Sequence, residues 1–157
     1  MCGIAGWIDW NNGAQEYRER IVGEMTRTLT PRGPDAEGYI TVGSAALGHR
    51  RLIVVDPAGG AQPMDITWQG KRAVLGYNGE LYNTEDIRAD LLNQGHTFKG
   101  YSDTEVLLRA YLCWGEECVR HFNGIYAFAI WDDAEQALFC ARDRMGVKPF
   151  FYAPVPG

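Results

Sequence analysis

The sequence predicts an α+β fold in which helices pack on antiparallel sheets. Apolar residues recur at helical spacing in three separate stretches, β-branched and aromatic runs are joined by short turns, and strands and helices come in groups rather than in strict alternation. With 157 residues, 46% of them hydrophobic and 22% charged, the chain suits one domain with a sizeable core.

Ile4 to Asp9 reads as a short apolar strand closed by the turn Asn11-Asn12-Gly13. From Glu16 to Leu29, the residues Tyr17, Ile21, Val22, Met25 and Leu29 make one apolar stripe, so a helix is expected that Pro31 stops. Pro31-Arg32-Gly33-Pro34-Asp35 is a fixed loop. Gly38 to Val42 and Ala45 to His49 are two strands hinged at Gly43-Ser44, and Arg50 to Asp56 continues as an apolar run. Two adjacent arginines ahead of a buried run are unusual, because a guanidinium is rarely buried without an anionic partner; one of them has a task. Asp56 to Met64 reads equally as a lid or as a plain connection.

Arg72 to Tyr77 is a further strand. It runs into Asn78-Gly79, a hairpin signal, but Asn83-Thr84-Glu85-Asp86 follows with a capping residue and first-turn acids, so the expected path is strand, loop, helix. Ile87, Leu91 and Leu92 form that helix's apolar side and Gly95 its stop. Ser102-Asp103-Thr104-Glu105 has capping-box form and opens a helix with Val106, Leu107, Ala110, Tyr111 and Trp114 on one face. Asp103 in its first turn also suits the helix dipole. Ile125 to Trp131 is a strand buried on both faces, returned through Asp132–Gln136 by Ala137 to Ala141 as a central hairpin. Arg142 to Pro149 is a charged loop before a last apolar piece, Phe150 to Tyr152.

A net charge of −5 without a long basic run argues against nucleic acid. Membrane insertion is not expected, since no apolar stretch approaches roughly 18 residues. Cys2, Cys113, Cys118 and Cys140 form no CxxC pair or dense framework, which fits a reducing cytoplasm. No metal is expected, because His49, His96 and His121 stand in no familiar ligand pattern with these cysteines. Cys113, Cys118 and Cys140 lie among apolar residues and read as core filler.

Cys2 has more chemical content. Once Met1 is removed, this residue carries a thiol and a free α-amine on one carbon, and an amine pKa of roughly 7.7–8 lets it accept the thiol proton without a distant histidine. A small buried thiol is the competing reading at this stage.

Met1-Cys2-Gly3-Ile4, Arg32-Gly33-Pro34-Asp35, Gly48-His49-Arg50-Arg51-Leu52, Gly60-Ala61-Gln62-Pro63-Met64, Tyr77-Asn78-Gly79-Glu80-Leu81-Tyr82-Asn83, Ser102-Asp103-Thr104-Glu105, Phe128-Ala129-Ile130-Trp131-Asp132 and the Ala141–Pro149 stretch occur in this order along nearly the whole chain. Together they resemble the N-terminal glutaminase domain of class II glutamine amidotransferases, asparagine synthetase branch. The resemblance implies an N-terminal-nucleophile fold, a four-layer αββα sandwich of two antiparallel sheets flanked by helices, with L-glutamine as substrate. It assigns Cys2 as nucleophile with its own α-amine as base, and Asn78 (side-chain amide) and Gly79 (backbone N–H) as oxyanion donors. It assigns Arg51 to the substrate α-carboxylate, Glu80 and Asp103 to the α-ammonium, and Leu52 to substrate binding.

These residue types suit that chemistry. An amide is a poor electrophile and needs donors preorganised where charge develops, and an amino acid offers a carboxylate for an arginine and an ammonium for carboxylates. The resemblance further implies one glutaminase domain over 1–157, truncated near its C-terminal end. A synthetase domain with its Ser-Gly-Gly nucleotide loop is absent, so ATP and Mg are expected only there, and that domain or an acceptor subunit is the expected partner. Pro31 replaces the histidine that usually precedes Arg-Gly-Pro-Asp. A catalytically incomplete docking domain is the alternative function, favoured if Met1 is retained.

Overall fold

The structure, a computed structural model, describes residues 1–11, 13–53 and 59–155. β1 (Gly3–Ile8) is followed by α1 (Gln15–Thr28), β2 (Ala36–Val42) and β3 (Ala45–Arg51), and the strands form one antiparallel sheet in the order β1-β3-β2. β4 (Met64–Trp68) and β5 (Lys71–Leu81) lead to α2 (Thr84–Asn93) and α3 (Asp103–Trp114), then β6 (Gly124–Asp132) and β7 (Ala137–Arg142). The second sheet is antiparallel in the order β4-β5-β6-β7.

The layering follows from where each strand's alternate side chains go. Along β5, Leu75, Tyr77 and Leu81 join Val106, Leu107 and Phe128 in the main core, under α2 and α3. Val74 turns the other way and meets Val42, Ala45 and Leu47 of the first sheet together with Trp131. Gly76 faces the Ile4 side chain. The two sheets therefore lie face to face, with α1 outside the first and α2 and α3 outside the second. This is the expected αββα sandwich, and period-two alternation puts Asn78 and Glu80 on the side of β5 that faces the first sheet.

Several elements differ from expectation. The buried stripe of α1 is Arg18, Val22, Gly23 and Thr26, while Tyr17 is 55% exposed. The cause is the surface that α1 covers: Arg18 donates to the Gly43 and Ala45 carbonyls at 2.9 and 2.7 Å, and Thr26 packs where Gly48 has no side chain. β4 was not expected. Gln69 and Gly70, with φ of 48° and 79°, close the hairpin that joins it to β5, as the primed two-residue turns require.

β5 runs through Asn78, Gly79 and Glu80 to Leu81, so these residues are on a strand and not in a loop. The side chain of Asn83 does not cap α2; its Oδ1 accepts from Asn123 N–H at 3.0 Å and its Nδ2 donates to the His121 carbonyl at 2.9 Å. Leu92 is 52% exposed, leaving Ile87 and Leu91 as the buried face. The β6–β7 hairpin forms, but β7 is an edge strand. Cys140 on it faces an open cavity and is exposed rather than core filler, and Cys113 is only partly buried, while Cys118 is buried.

Asn12 of the first turn, and Val54 to Ala58 of the apolar run and the lid-or-connection segment, lie outside the described residues. At the near end of that segment, Ser102 Oγ donates to the Gly59 carbonyl at 3.1 Å. The capping box of α3 is half realised. Ser102 accepts from Glu105 N–H at 3.3 Å, while the Glu105 carboxylate turns to the Lys99 and Gly100 N–H groups and to Arg109.

Of the paired arginines, Arg50 fixes the Pro31–Asp35 loop. Its guanidinium donates to the Gly33 carbonyl at 2.7 Å, the Pro34 carbonyl at 3.3 Å and the Glu37 carboxylate at 2.7 Å. Gly33 itself lies against the Arg50–Arg51 backbone, with no room for a side chain. Arg50→Met therefore strands the buried Gly33 carbonyl and releases the exposed Pro34 and Glu37, and urea unfolding should show a loss of about 1–3 kcal/mol.

Candidate active site

The space between the sheets changes character along its length. At one end it is filled by Leu47, Val74 and Trp131. At the other, the same strand faces carry polar groups. Ile4 pairs with His49 and Gly3 with Arg50, so one further step of the register sets Cys2 level with Arg51. Residues opposite each other in an antiparallel pair share a face, and Ile4 faces β5. Cys2, His49 and Arg51 thus belong to the face turned toward the second sheet. A cavity that runs along β1, with Leu29 of α1 and the Pro149–Val155 segment on its walls, reaches Cys2 and Asn78, with Arg32 and Leu47 also on its lining.

The partly buried Cys2 thiol lies 3.8 Å from the Leu52 carbonyl, and the Cys2 carbonyl accepts from Arg32 Nε at 3.2 Å. In the loop where Pro31 departs from the family pattern, Arg32 is thus the residue that touches Cys2. Leu52 meets Cys2 through its backbone, and the residue is 37% exposed. Arg51 is buried and sits close enough to His49 for its charge to be felt there.

β4 pairs with β5 only as far as Met64 opposite Leu75, so among the described residues no strand lies beside the β5 edge beyond it. The odd-numbered N–H groups point out of that edge. Tyr77 N–H donates to Gln62 Oε1 at 2.6 Å, and Leu81 N–H donates to Asp103 Oδ2 at 3.2 Å. By strand alternation the Gly79 N–H lies between these two and points the same way. Gly79 is glycine for a packing reason as well: a side chain there would strike the Ile125 carbonyl and Tyr126 of β6. Glu80 is exposed and Asp103 half-buried, and both lie near enough to the Tyr77 phenol, as does Cys2, to act on it electrostatically.

Cys2 and Asn78 are thus brought to one cavity, with Arg51 on the same sheet face as Cys2. Gly79, Glu80 and Asp103 cluster around the open β5 edge and do not line that cavity. A thiol, an amide, an outward backbone N–H, a guanidinium and two carboxylates in this order can bind a zwitterion and stabilise charge on an attacked carbonyl. Among the described residues, no group of three or more His, Cys, Asp or Glu could hold a metal ion.

Sequence reasoning passed over His49, Gln62, Tyr77 and Arg32 as parts of this arrangement. His49 left a signal: a polar residue two places from Leu47 on a fully buried strand must find its partner across the sheets. It does, with Nε2 2.8 Å from the Tyr77 carbonyl, so the ring is the Nε2–H donor, and its buried Nδ1 has no partner among the described residues.

The comparisons agree with this architecture. The family model described as a glutamine amidotransferase domain matches residues 1–157. An asparagine synthetase [glutamine-hydrolyzing] 3 of Bacillus subtilis is 51% identical over 152 residues, covering 97% of this chain and 25% of the relative. The corresponding enzyme 1 of the same organism is 35% identical, covering 99% and 24%. The chain spans about a quarter of the length of these curated relatives. Among solved structures, glutamine phosphoribosylpyrophosphate amidotransferase from B. subtilis, complexed with ADP and GMP, aligns with a TM-score of 0.60 at 21% identity, over 84% of this chain and 35% of that one. A structure described as the allosteric regulatory enzyme of purine biosynthesis aligns at 0.57 with 27% identity, over 68% and 25%.

Burial, aided by the Arg51 charge and opposed by the Tyr77 carbonyl, holds the His49 pKa at about 4 instead of 6.5. The unfolded chain then takes up this proton first as pH falls, so stability drops between pH 6.5 and about 4 and is unaffected by His49 above that window. Urea unfolding at pH 7.5 and 4.5 should show the parent losing about 2–3 kcal/mol more than His49→Gln over this interval.

Proposed function

The chain belongs to the glutamine amidotransferase domain family, and from that premise we propose that residues 1–157 hydrolyse the side-chain amide of L-glutamine through a thioester on Cys2. The observation that carries this reading is the β5 edge, where an outward Gly79 N–H adjoins Asn78 on the wall of the cavity that also holds Cys2.

Met1 is 55% exposed, within reach of an aminopeptidase, and its removal frees the Cys2 α-amine. That amine takes the thiol proton, directly or through a water, and Sγ attacks the amide carbonyl. The side-chain amide of Asn78 and the N–H of Gly79 donate to the oxygen as it becomes negative. The proton passes from the amine to the departing nitrogen, ammonia leaves, and water then attacks the thioester to release glutamate. Arg51 pairs with the substrate α-carboxylate, Glu80 and Asp103 receive its α-ammonium, and Leu52, whose carbonyl lies by the Cys2 thiol, takes part in substrate binding.

The step uses no metal or cofactor. Its product is ammonia, and the names and lengths of the relatives support delivery to an ATP-dependent amide-forming half, asparagine synthetase-like, in which ATP and Mg would act. That half is the partner proposed for this domain, in the cytoplasm. Among the described residues no helix is long and apolar enough to cross a membrane.

Protein whose intact mass shows Met1 removed should release glutamate from glutamine, and Cys2→Ala should release none. Asn78→Ala should lower kcat by about 100 to 1,000-fold, whereas Arg51→Lys should chiefly raise the glutamine KM. Equal glutamate from Cys2→Ala, or none from the processed parent, would leave the docking-domain reading in its place.

A further inference from the structure

Tyr77 is 2% exposed, and its backbone and side chain are tied to three different elements. Its N–H donates to Gln62 Oε1 and its carbonyl accepts from His49. On the opposite side of β5, its hydroxyl donates to Asp103 Oδ2 at 2.7 Å. Burial first, and then the charges of Asp103 and Glu80, push the phenol pKa well above its usual value of 10, so the hydroxyl keeps its proton and remains a donor.

The bond to Asp103 has a particular geometry. Leu81 N–H donates to the same oxygen, Oδ2, at 3.2 Å. A carboxylate turns easily about its last torsion, which is broad and two-fold. Two donors on one oxygen remove that freedom and leave Oδ1 without a donor among the described residues. Packing of α3 on the second sheet does not need this hydroxyl, because Val106, Leu107 and Ala110 already hold the helix in the main core.

We propose that Tyr77 is a positioning residue that locks the Asp103 carboxylate with Oδ1 turned to the α-ammonium of the substrate, and so sets the preference for an α-amino acid over the same molecule lacking its amine. The assignment rests on the glutaminase reading above. It differs from a merely structural role in its selectivity. A loosened α3 would weaken every ligand alike, whereas a misaligned Asp103 weakens only ligands that carry the amine.

The test is Tyr77→Phe in the full chain with Met1 removed; it deletes one oxygen and keeps the ring that fills the core, and a thermal melt checks that the variant is folded. L-glutamate and glutarate, which differ only in the α-amine, serve as probes by calorimetry and as competitive inhibitors. The expected result is a rise of about tenfold in the glutamine KM and in the glutamate Kd. The glutarate Kd should stay unchanged and kcat should remain within about twofold. Equal changes for glutamate and glutarate, or no change for either, would overturn the proposal. A parent that neither releases glutamate nor distinguishes the two probes would instead overturn the glutaminase reading, and this assignment with it. Calorimetry needs no turnover, so the outcomes stay separate.

Discussion

The His49 imidazole reaches from the first sheet to the Tyr77 carbonyl of the second at 2.8 Å, inside the sandwich and away from water. A protein hydrogen bond of this kind is worth only about 1 kcal/mol net, but a buried carbonyl deprived of it costs about 1–3 kcal/mol. The asymmetry gives the contact its directional force. Apolar packing of Leu47, Val74 and Trp131 holds the sheets together, yet it would tolerate some sliding. The imidazole specifies which residue of β5 stands opposite β3. Once His49 is level with Tyr77, the register of β1 on β3 sets where Cys2 stands relative to Asn78.

A second constraint is the early end of β4. An uncovered strand edge offers a row of unpaired N–H groups, which proteins usually cover or block. Here the row is divided: Gln62 takes Tyr77 N–H, Asp103 takes Leu81 N–H, and Gly79 N–H remains between them. The backbone that makes the sheet therefore also provides a fixed donor, held by the β5–β6 ladder on its other side. Such a donor costs no reorganisation when charge appears beside it, which is the property that electrostatic catalysis requires.

The parts of this structure that were legible in the sequence are those in which a residue's partner is near in the chain. The Ser102 cap, the apolar side of α3, the β6 strand and the Gly43 hinge with φ of 51° follow from spacing and backbone preference. What escaped depends on distant partners. Arg18 sits on a face that looked apolar because the carbonyls that need it belong to the β2–β3 turn. Asn78-Gly79 reads as the start of a loop between strand and helix, but Gly79 is pressed against β6 and the strand continues through it. Of the two arginines, the chain pattern flagged that one had a task. Only the fold shows Arg50 tying the Pro31–Asp35 loop to β2, while Arg51, one residue on, turns to the opposite face with His49.

On the proposed reading, the two ends of the substrate are recognised by different layers. The guanidinium of Arg51 belongs to the first sheet, whereas Glu80 lies on the second and Asp103 at the start of the helix behind it. A zwitterion of fixed length can satisfy both only if the layers keep a fixed offset, so the recognition distance is a property of the sandwich and not of any one loop. Tyr77 joins all three layers: through its carbonyl to the first sheet, through its backbone to the second, and through its hydroxyl to α3. A neutral imidazole suits the crossing better than a charged side chain would. An ammonium or guanidinium at position 49 would place a second positive charge beside the buried Arg51, away from water, where like charges repel strongly. The depressed His49 pKa comes first from burial, with the Arg51 charge adding to it: the same burial that makes the tie directional also keeps it uncharged.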